Sequence, residues 1–453
     1  MIIMKRGIGL FLLAASIIFA VTNCSKEGDE KKEAIDLKVT TNAVADLTAF
    51  TATGGGEITG TEPIIKRGIC WSTNAEPTTD DKVVIDVDPV VGDFILKMSD
   101  LEPGTSYNVR AFAVTHAGET VYGNTVNFST KTVTPQVESN SYIVGYNDVV
   151  VIPVSRANKS ALGELIASGD EITAELIWMD NEDVIEEVFT YGKGGTGNIV
   201  VATGSINGNA VVAVRVNNNI VWSWHIWVDA EPSKIGTIRM PSGAVLMDRN
   251  LGATSKAVSE IGAVGIQFQF GRKDPFTASA SFGTPSEVLL YDLSGRNPEI
   301  KTVDGPKDLA FAVANPHTYI KSLWVDWCDE NITTWWQSED GSKTVYDPCP
   351  AGWRVPALED YSGLADEHFN KNVEGGHNFI FDGQSNFFAF TGYREVEGNM
   401  DATANYGTFW VNSVISGDAG IGSALSPSFG VGGTAPINGA PKARALSIRC
   451  IKE

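Results

Sequence analysis

From Asn219 to Val228 the chain reads Asn-Ile-Val-Trp-Ser-Trp-His-Ile-Trp-Val. A strand's period of two puts Trp222, Trp224 and Ile226 on one face and Ser223, His225 and Trp227 on the other. A strand rich on both faces is usually buried on both, so the reading is core or interdomain packing. The alternative is a ligand platform, because the apolar face of a pyranose suits an aromatic row. The run closes a module, residues 133–231, that opens with a Thr/Pro linker at Thr132 to Pro135. Tyr142 to Val144, Val149 to Val154, Asp170 to Met179 and Asn198 to Ala202 are its other β-rich runs. Asn207-Gly208-Asn209 reads as a hairpin signal. The module is expected to be an antiparallel sandwich.

Residues 37–132 form a similar module of short strands. Ile64 to Trp71 alternates and ends in a polar Ser72-Thr73-Asn74 turn. Tyr107, Val109, Ala111 and Ala113 share one strand face. Leu101-x-Pro103-Gly104-Thr105-x-Tyr107 and Tyr122-Gly123-Asn124-x-Val126-x-Phe128-x-Thr130 resemble the fibronectin type III pattern. That resemblance implies a tyrosine corner, in which the Tyr107 hydroxyl meets backbone a few residues upstream. Function does not follow from this fold, and the module reads as a spacer.

Residues 232–453 are rich in Trp and punctuated by Gly and Asn, with weak helical periodicity. One short helix is expected over Leu358–Ala365, with Glu359 and Asp360 in its first turn. Four motifs here resemble the Fibrobacter succinogenes major paralogous domain family. They are Val245 to Ala253, Phe270 to Phe276, Tyr346 to Pro356, and the closing Ser447-Ile448-Arg449-Cys450. The family is distantly similar to C-type lectin and formylglycine-generating-enzyme folds, through Gly352 to Asp360 and Phe409 to Ser413. The implied fold is a loop-rich, lectin-like α+β domain. The whole chain is therefore read as mainly β and multidomain, two antiparallel sandwiches followed by that domain.

Lys5 and Arg6 precede an apolar run from Ile8 to Val21, the form of a secretory signal over residues 1–23. Val21-Thr22-Asn23-Cys24 resembles a lipobox, which implies lipidation of Cys24. Residues 24–36 are a polar, charged tether like the export signal of Bacteroidetes surface lipoproteins. The expected location is the outer membrane, lipid-anchored and facing the exterior. A net charge of −21 argues against nucleic acid, which needs clustered cations. A hydrophobic fraction of 43% excludes wholesale disorder.

Besides Cys24 the cysteines are Cys70, Cys328, Cys349 and Cys450. Four allow three pairings, and spacing does not choose among them. Cys349 and Cys450 each sit inside a motif of the resemblance, which implies that they pair. Cys70 lies in a strand and reads as a buried free thiol. No Cys-x-x-Cys or His-Glu-x-x-His occurs, so no metal and no cofactor are expected. The histidines read as solvent-exposed or hydrogen-bonded. No Gly-x-Ser-x-Gly elbow supports a serine nucleophile, and the expectation is a protein that is not an enzyme.

The candidate ligand-binding residues are Trp324, Asp326, Trp327, Trp335 and Trp336, where rings interleaved with acids and amides could stack a sugar. The opposing reading makes these tryptophans the core of a loop-rich fold. Binding or adhesion, most of all to glycan, is the leading function. A structural or fimbrial component with protein partners is the first alternative, and an enzyme acting on extracellular polysaccharide the second.

Overall fold

The computed structural model describes residues 36–323, 326–330, 334–363, 368–381, 383–401, 407–414, 421–425 and 437–453. Cys24, Trp324, Leu364 and Ala365 lie outside the described residues. The chain divides after Thr132 into two units.

In the first unit, β1 (Leu37–Thr41), β2 (Ala52–Gly60) and β5 (Gly92–Met98) form one sheet. β3 (Ile64–Ser72), β4 (Lys82–Ile85), β6 (Ser106–Thr115), β7 (Thr120–Tyr122) and β8 (Val126–Ser129) form the other. Alternation along β6 buries Tyr107, Val109, Ala111 and Ala113 in the core with Ile69, Trp71 and Phe94. The Tyr107 hydroxyl accepts the Glu102 N–H at 2.9 Å, closing the tyrosine corner. Cys70 is a buried free thiol, and burial pushes its pKa up to about 11.

The second unit begins with a sandwich. β9 (Ser141–Val144), β11 (Ile172–Met179), β14 (Gly208–Val216) and β15 (Asn219–Val228) make one sheet, in the order β11-β14-β15-β9. β10 (Val149–Pro153), β12 (Ile185–Tyr191) and β13 (Asn198–Thr203) make the other. Two expectations need correction here. β9 pairs with β15 in parallel, so the sandwich is not wholly antiparallel. Asn207-Gly208 is no hairpin turn, because β13 and β14 belong to different sheets. The hairpin is β14–β15, turned by Asn217 and Asn218, both at positive φ as a type I′ turn requires. β12 has no counterpart in the sequence reading, since Glu186 and Glu187 break its apolar pattern.

Among the described residues, the rest of the second unit is built from short strands and one α-helix, α1 (Leu309–Ala314). Asp308 caps that helix by accepting the Phe311 N–H at 2.7 Å. The helix expected from Leu358 is a single 3₁₀ turn, Leu358–Tyr361. There the Asp360 carboxylate accepts the Ala357 N–H and pairs with Arg354. β16 (Thr237–Arg239), β17 (Val245–Met247), β18 (Ile266–Gln269) and β19 (Phe276–Thr277) open this region. Leu246 of β17 pairs with Ile451, so the first and last motifs meet at one sheet.

The boundary expected at residue 231 is not a gap between two bodies. Trp222, Trp224 and Trp227 of β15 share one core with Phe268, Phe270, Trp327, Trp335, Trp336 and Trp410. The Ser223 face of β15 is covered as well: Ser223 donates to Asp274 at 2.6 Å. The double-faced pattern of β15 thus records burial in a layered β fold.

Candidate functional site

The motifs are spent on holding this fold together. Gly271 has φ +87°, and a Cβ there would stand 2.3 Å from the Trp335 ring. Arg272 donates to the carbonyls of Thr318, Ala312 and Asn315, which satisfies the C-terminal end of α1. Lys273 donates to Asp274 at 2.5 Å and to the Ser223 carbonyl at 3.1 Å, fastening the region to β15. Burial lowers the Lys273 pKa to about 8. Arg449 lies 3.9 Å above the Phe388 ring and donates to Asn250. Asp347 accepts the N–H groups of Cys349 and Val355.

The expected tryptophan site is corrected by the same packing. Trp327, Trp335 and Trp336 are all buried, so no ring face is open to a sugar. The Trp327 indole N–H donates to the Phe270 carbonyl at 2.7 Å, and that of Trp336 to the Arg272 carbonyl at 3.1 Å. Asp326 is paired with the buried Lys442 at 3.1 Å. Trp327, Trp335 and Trp336 are therefore core, and Asp326 is held in an ion pair beside it. Trp336→Ala is expected to cost about 3–5 kcal/mol of stability, as for a buried large ring. Urea denaturation checks this, and a stability within error of the parent would contradict the burial.

A cleft of about 210 Å³ lies elsewhere in the second unit. Asp180, just past β11, and Asn209, on β14, line it with Gly252, Thr254 and Thr277. Ile261, Val264, Ile266, Ala278 and Val288 give it an aliphatic wall. Asn209 holds the Asp180 carboxylate with both its backbone N–H, at 2.7 Å, and its side-chain amide, at 2.8 Å. Gly208 is required beside them, because a Cβ there would stand 2.6 Å from Asp180 Oδ1. Burial raises the Asp180 pKa to about 6, against the pull of the Asn209 hydrogen bonds. The Thr277 hydroxyl is buried and has no hydrogen-bond partner among the described residues. A carboxylate with no cation partner among the described residues and an aliphatic wall fit a small neutral ligand rich in hydroxyls.

Behind the cleft runs a chain of side chains. His225 Nε2 is 2.9 Å from Asn209 Oδ1, and Nδ1 is 2.9 Å from Ser141 Oγ. The Asn209 amide donates to Asp180 and Gly252, so its oxygen is left to accept from Nε2–H. Ser141 Oγ also stands 2.6 Å from the Pro348 carbonyl. Serine, histidine and asparagine here are all buried, so the hydroxyl has no route to an acyl substrate. The chain ties β9, β14 and β15 to the Tyr346–Pro356 motif.

This chain makes the unit sensitive to acid. Burial pushes the His225 pKa down to about 3, whereas an unfolded histidine titrates near ~6.5. The native state binds fewer protons between those values, so the stability present at neutral pH is lost as pH falls through that window. His317 and His377, lowered to about 4 by burial, act in the same direction. Asp180 and Asp347, each raised to about 6, act oppositely. Their contribution is full below ~3.9 and is lost as pH rises through their folded values. Three histidines against two carboxylates leave a net loss on acidification. The urea midpoint of the second unit is expected to fall between neutral pH and pH ~4, and His225→Gln to flatten that slope.

Of the residues singled out in the sequence, Asn209 and Gly252 line the cleft. Asp180 and Thr277 carry no motif signal. No family model matches the chain, and no curated protein matches it. Among solved structures, the chain is similar to the sixth fibronectin type III domain of human fibronectin type III domain containing protein 3. The identity is 16%, covering 22% of this chain and 89% of that one, at a TM-score of 0.17. It is also similar to the fibronectin(III)-like modules of Clostridium thermocellum CbhA, with 13% identity, 42% and 94% coverage and a TM-score of 0.17. The sensor domain of the anti-sigma factor RsgI4 of Pseudobacteroides cellulosolvens is a third, with 16% identity, 22% and 97% coverage and a TM-score of 0.18. The chain's own strands give the fold: mainly β, multidomain and sandwich-built.

Proposed function

We propose that the chain is a non-catalytic surface lipoprotein that binds glycan through its second unit. The observation that carries this reading is the cleft at Asp180. A carboxylate accepts hydrogen bonds from two neighbouring hydroxyls, and vicinal hydroxyls of a sugar ring supply them. The aliphatic wall then meets the C–H face of the ring. The Lys5–Val21 signal pattern, Cys24 and the acidic tether that follows support a lipid anchor and an outward-facing position at the outer membrane. The four motifs from Val245 to Cys450 favour kinship with the Fibrobacter major paralogous domains and a lectin-like role.

The test is a glycan array followed by calorimetry on residues 24–453, which keep every described residue. Asp180→Asn is expected to weaken binding about tenfold or more, since a hydrogen bond to a charged group is lost. Binding unchanged by Asp180→Asn, or no binding to any glycan, overturns the reading. The second reading is then an assembly component with protein partners, which the aliphatic side chains along one edge of the first unit favour.

A further inference from the structure

β4 is an edge strand: in the order β4-β3-β6-β7 only β3 lies beside it. Its register pairs Ile85 with Gly68, Val84 with Ile69, Val83 with Cys70 and Lys82 with Trp71. The Asp86 N–H donates to the Arg67 carbonyl at 2.9 Å. Peptide groups alternate along a strand, so those of Asp86, Val84 and Lys82 face β3, while those of Val83 and Ile85 face outward. This edge is also apolar. Val83 and Ile85 are exposed, Val87 is 99% exposed, and Ile95 on β5, the edge strand of the other sheet, is 74% exposed. Natural edges are usually guarded by charge, and here the guard is Lys82.

The charge pattern is self-complementary. When two copies of β4 run antiparallel about a two-fold axis at Val84, Val83 meets Ile85 of the other copy and Lys82 meets its Asp86. The outward peptide groups of Val83 and Ile85 then fall opposite one another as hydrogen-bonded pairs, and Val84 meets its own copy at a non-hydrogen-bonded position. Asp86 already holds Arg67 through Oδ2 at 2.6 Å, while its Oδ1 accepts the Asp88 N–H in a long bond, at 3.3 Å. A one-residue slip would set Lys82 against an apolar side chain and break both charge pairs.

We infer that the first unit associates with a second copy of this chain through antiparallel pairing of β4 edges centred on Val84. The pairing joins the two sheets into one and covers Val83 and Ile85 on both copies. It uses the first unit alone, so failure of glycan binding leaves it standing.

Sedimentation equilibrium on residues 24–453 tests it. A reversible monomer–dimer equilibrium is expected. Ile85→Lys and Lys82→Glu should each raise the dimer dissociation constant about tenfold or more, because every change acts twice across the axis. Lys82→Arg should leave it near the parent value. Val84→Cys should form an intermolecular disulfide under mild oxidation, since only a second copy in this register places that position against itself. All the substituted side chains lie on an edge strand, and circular dichroism checks that the fold is kept. A monomer at every concentration overturns the proposal. So does a dimer indifferent to Ile85→Lys and Lys82→Glu, or a Val84→Cys variant that stays monomeric on oxidation. Capture of an extended segment of another protein at this edge, with no self-association, would also overturn it.

Discussion

Replacing both Cys349 and Cys450 with alanine is expected to lower the stability of the second unit by about 3–5 kcal/mol. The two form a disulfide across a sequence separation of 101 residues. On the chain-entropy view a loop of that length removes much of the freedom of the unfolded chain. The bond also acts where the region closes on itself: the Met247 N–H donates to the Cys450 carbonyl at 2.9 Å, and Leu246 pairs with Ile451. Both sulfurs are buried, so the alanine pair leaves a small void as well. Differential scanning calorimetry on the parent and the double variant reads this. The transition of the second unit should fall by on the order of 10 °C, while that of the first unit stays in place. A second transition that does not move would show that the bond holds nothing the surrounding strands do not.

Asp274→Asn should cost about as much, roughly 3–5 kcal/mol, for a different reason. Lys273 and Asp274 are both buried, and the ammonium has Ser223 and Asp274 as its polar partners, with the Trp222 ring at 4.6 Å. Removing the carboxylate leaves a buried cation without a counter-charge. Replacing both residues, as Lys273→Met with Asp274→Leu, removes the charge along with its partner. That double change should cost clearly less than the sum of the single ones. A double-mutant cycle read by urea denaturation measures the coupling. Simple additivity would mean that water reaches the pair, against its burial between β15 and the Phe270–Phe276 motif.

Local pattern carried some of this structure well. The tyrosine corner was legible because Leu101 to Tyr107 is one short segment whose hydrogen bond is local. β15 was legible because alternation over ten residues states its burial outright. The β14–β15 turn was harder, since Asn207-Gly208 offers a competing signal and only sheet membership separates the two. β12 escaped because only Ile185 is buried and its two exposed residues are glutamates. The helix at Leu358 was overstated: acids in a first turn mark a start but say nothing about where the helix ends.

The candidate site shows the same divide more sharply. A tryptophan has one composition signature whether it stacks a ligand or fills a core, and Trp327, Trp335 and Trp336 proved to be core. The Asp180 cleft draws on segments near residues 180, 209, 252, 265 and 277, none of which announces the others. By itself the sequence determined the β class, the first sandwich with its corner and the double-sided burial of β15. All of these depend on neighbours within a few residues. Tertiary structure decided which tryptophans are covered, that the second sandwich and the C-terminal region share one core, and that Asp180 lines a cleft with an aliphatic wall. Those outcomes depend on contacts between residues far apart in the chain, which side-chain periodicity does not encode.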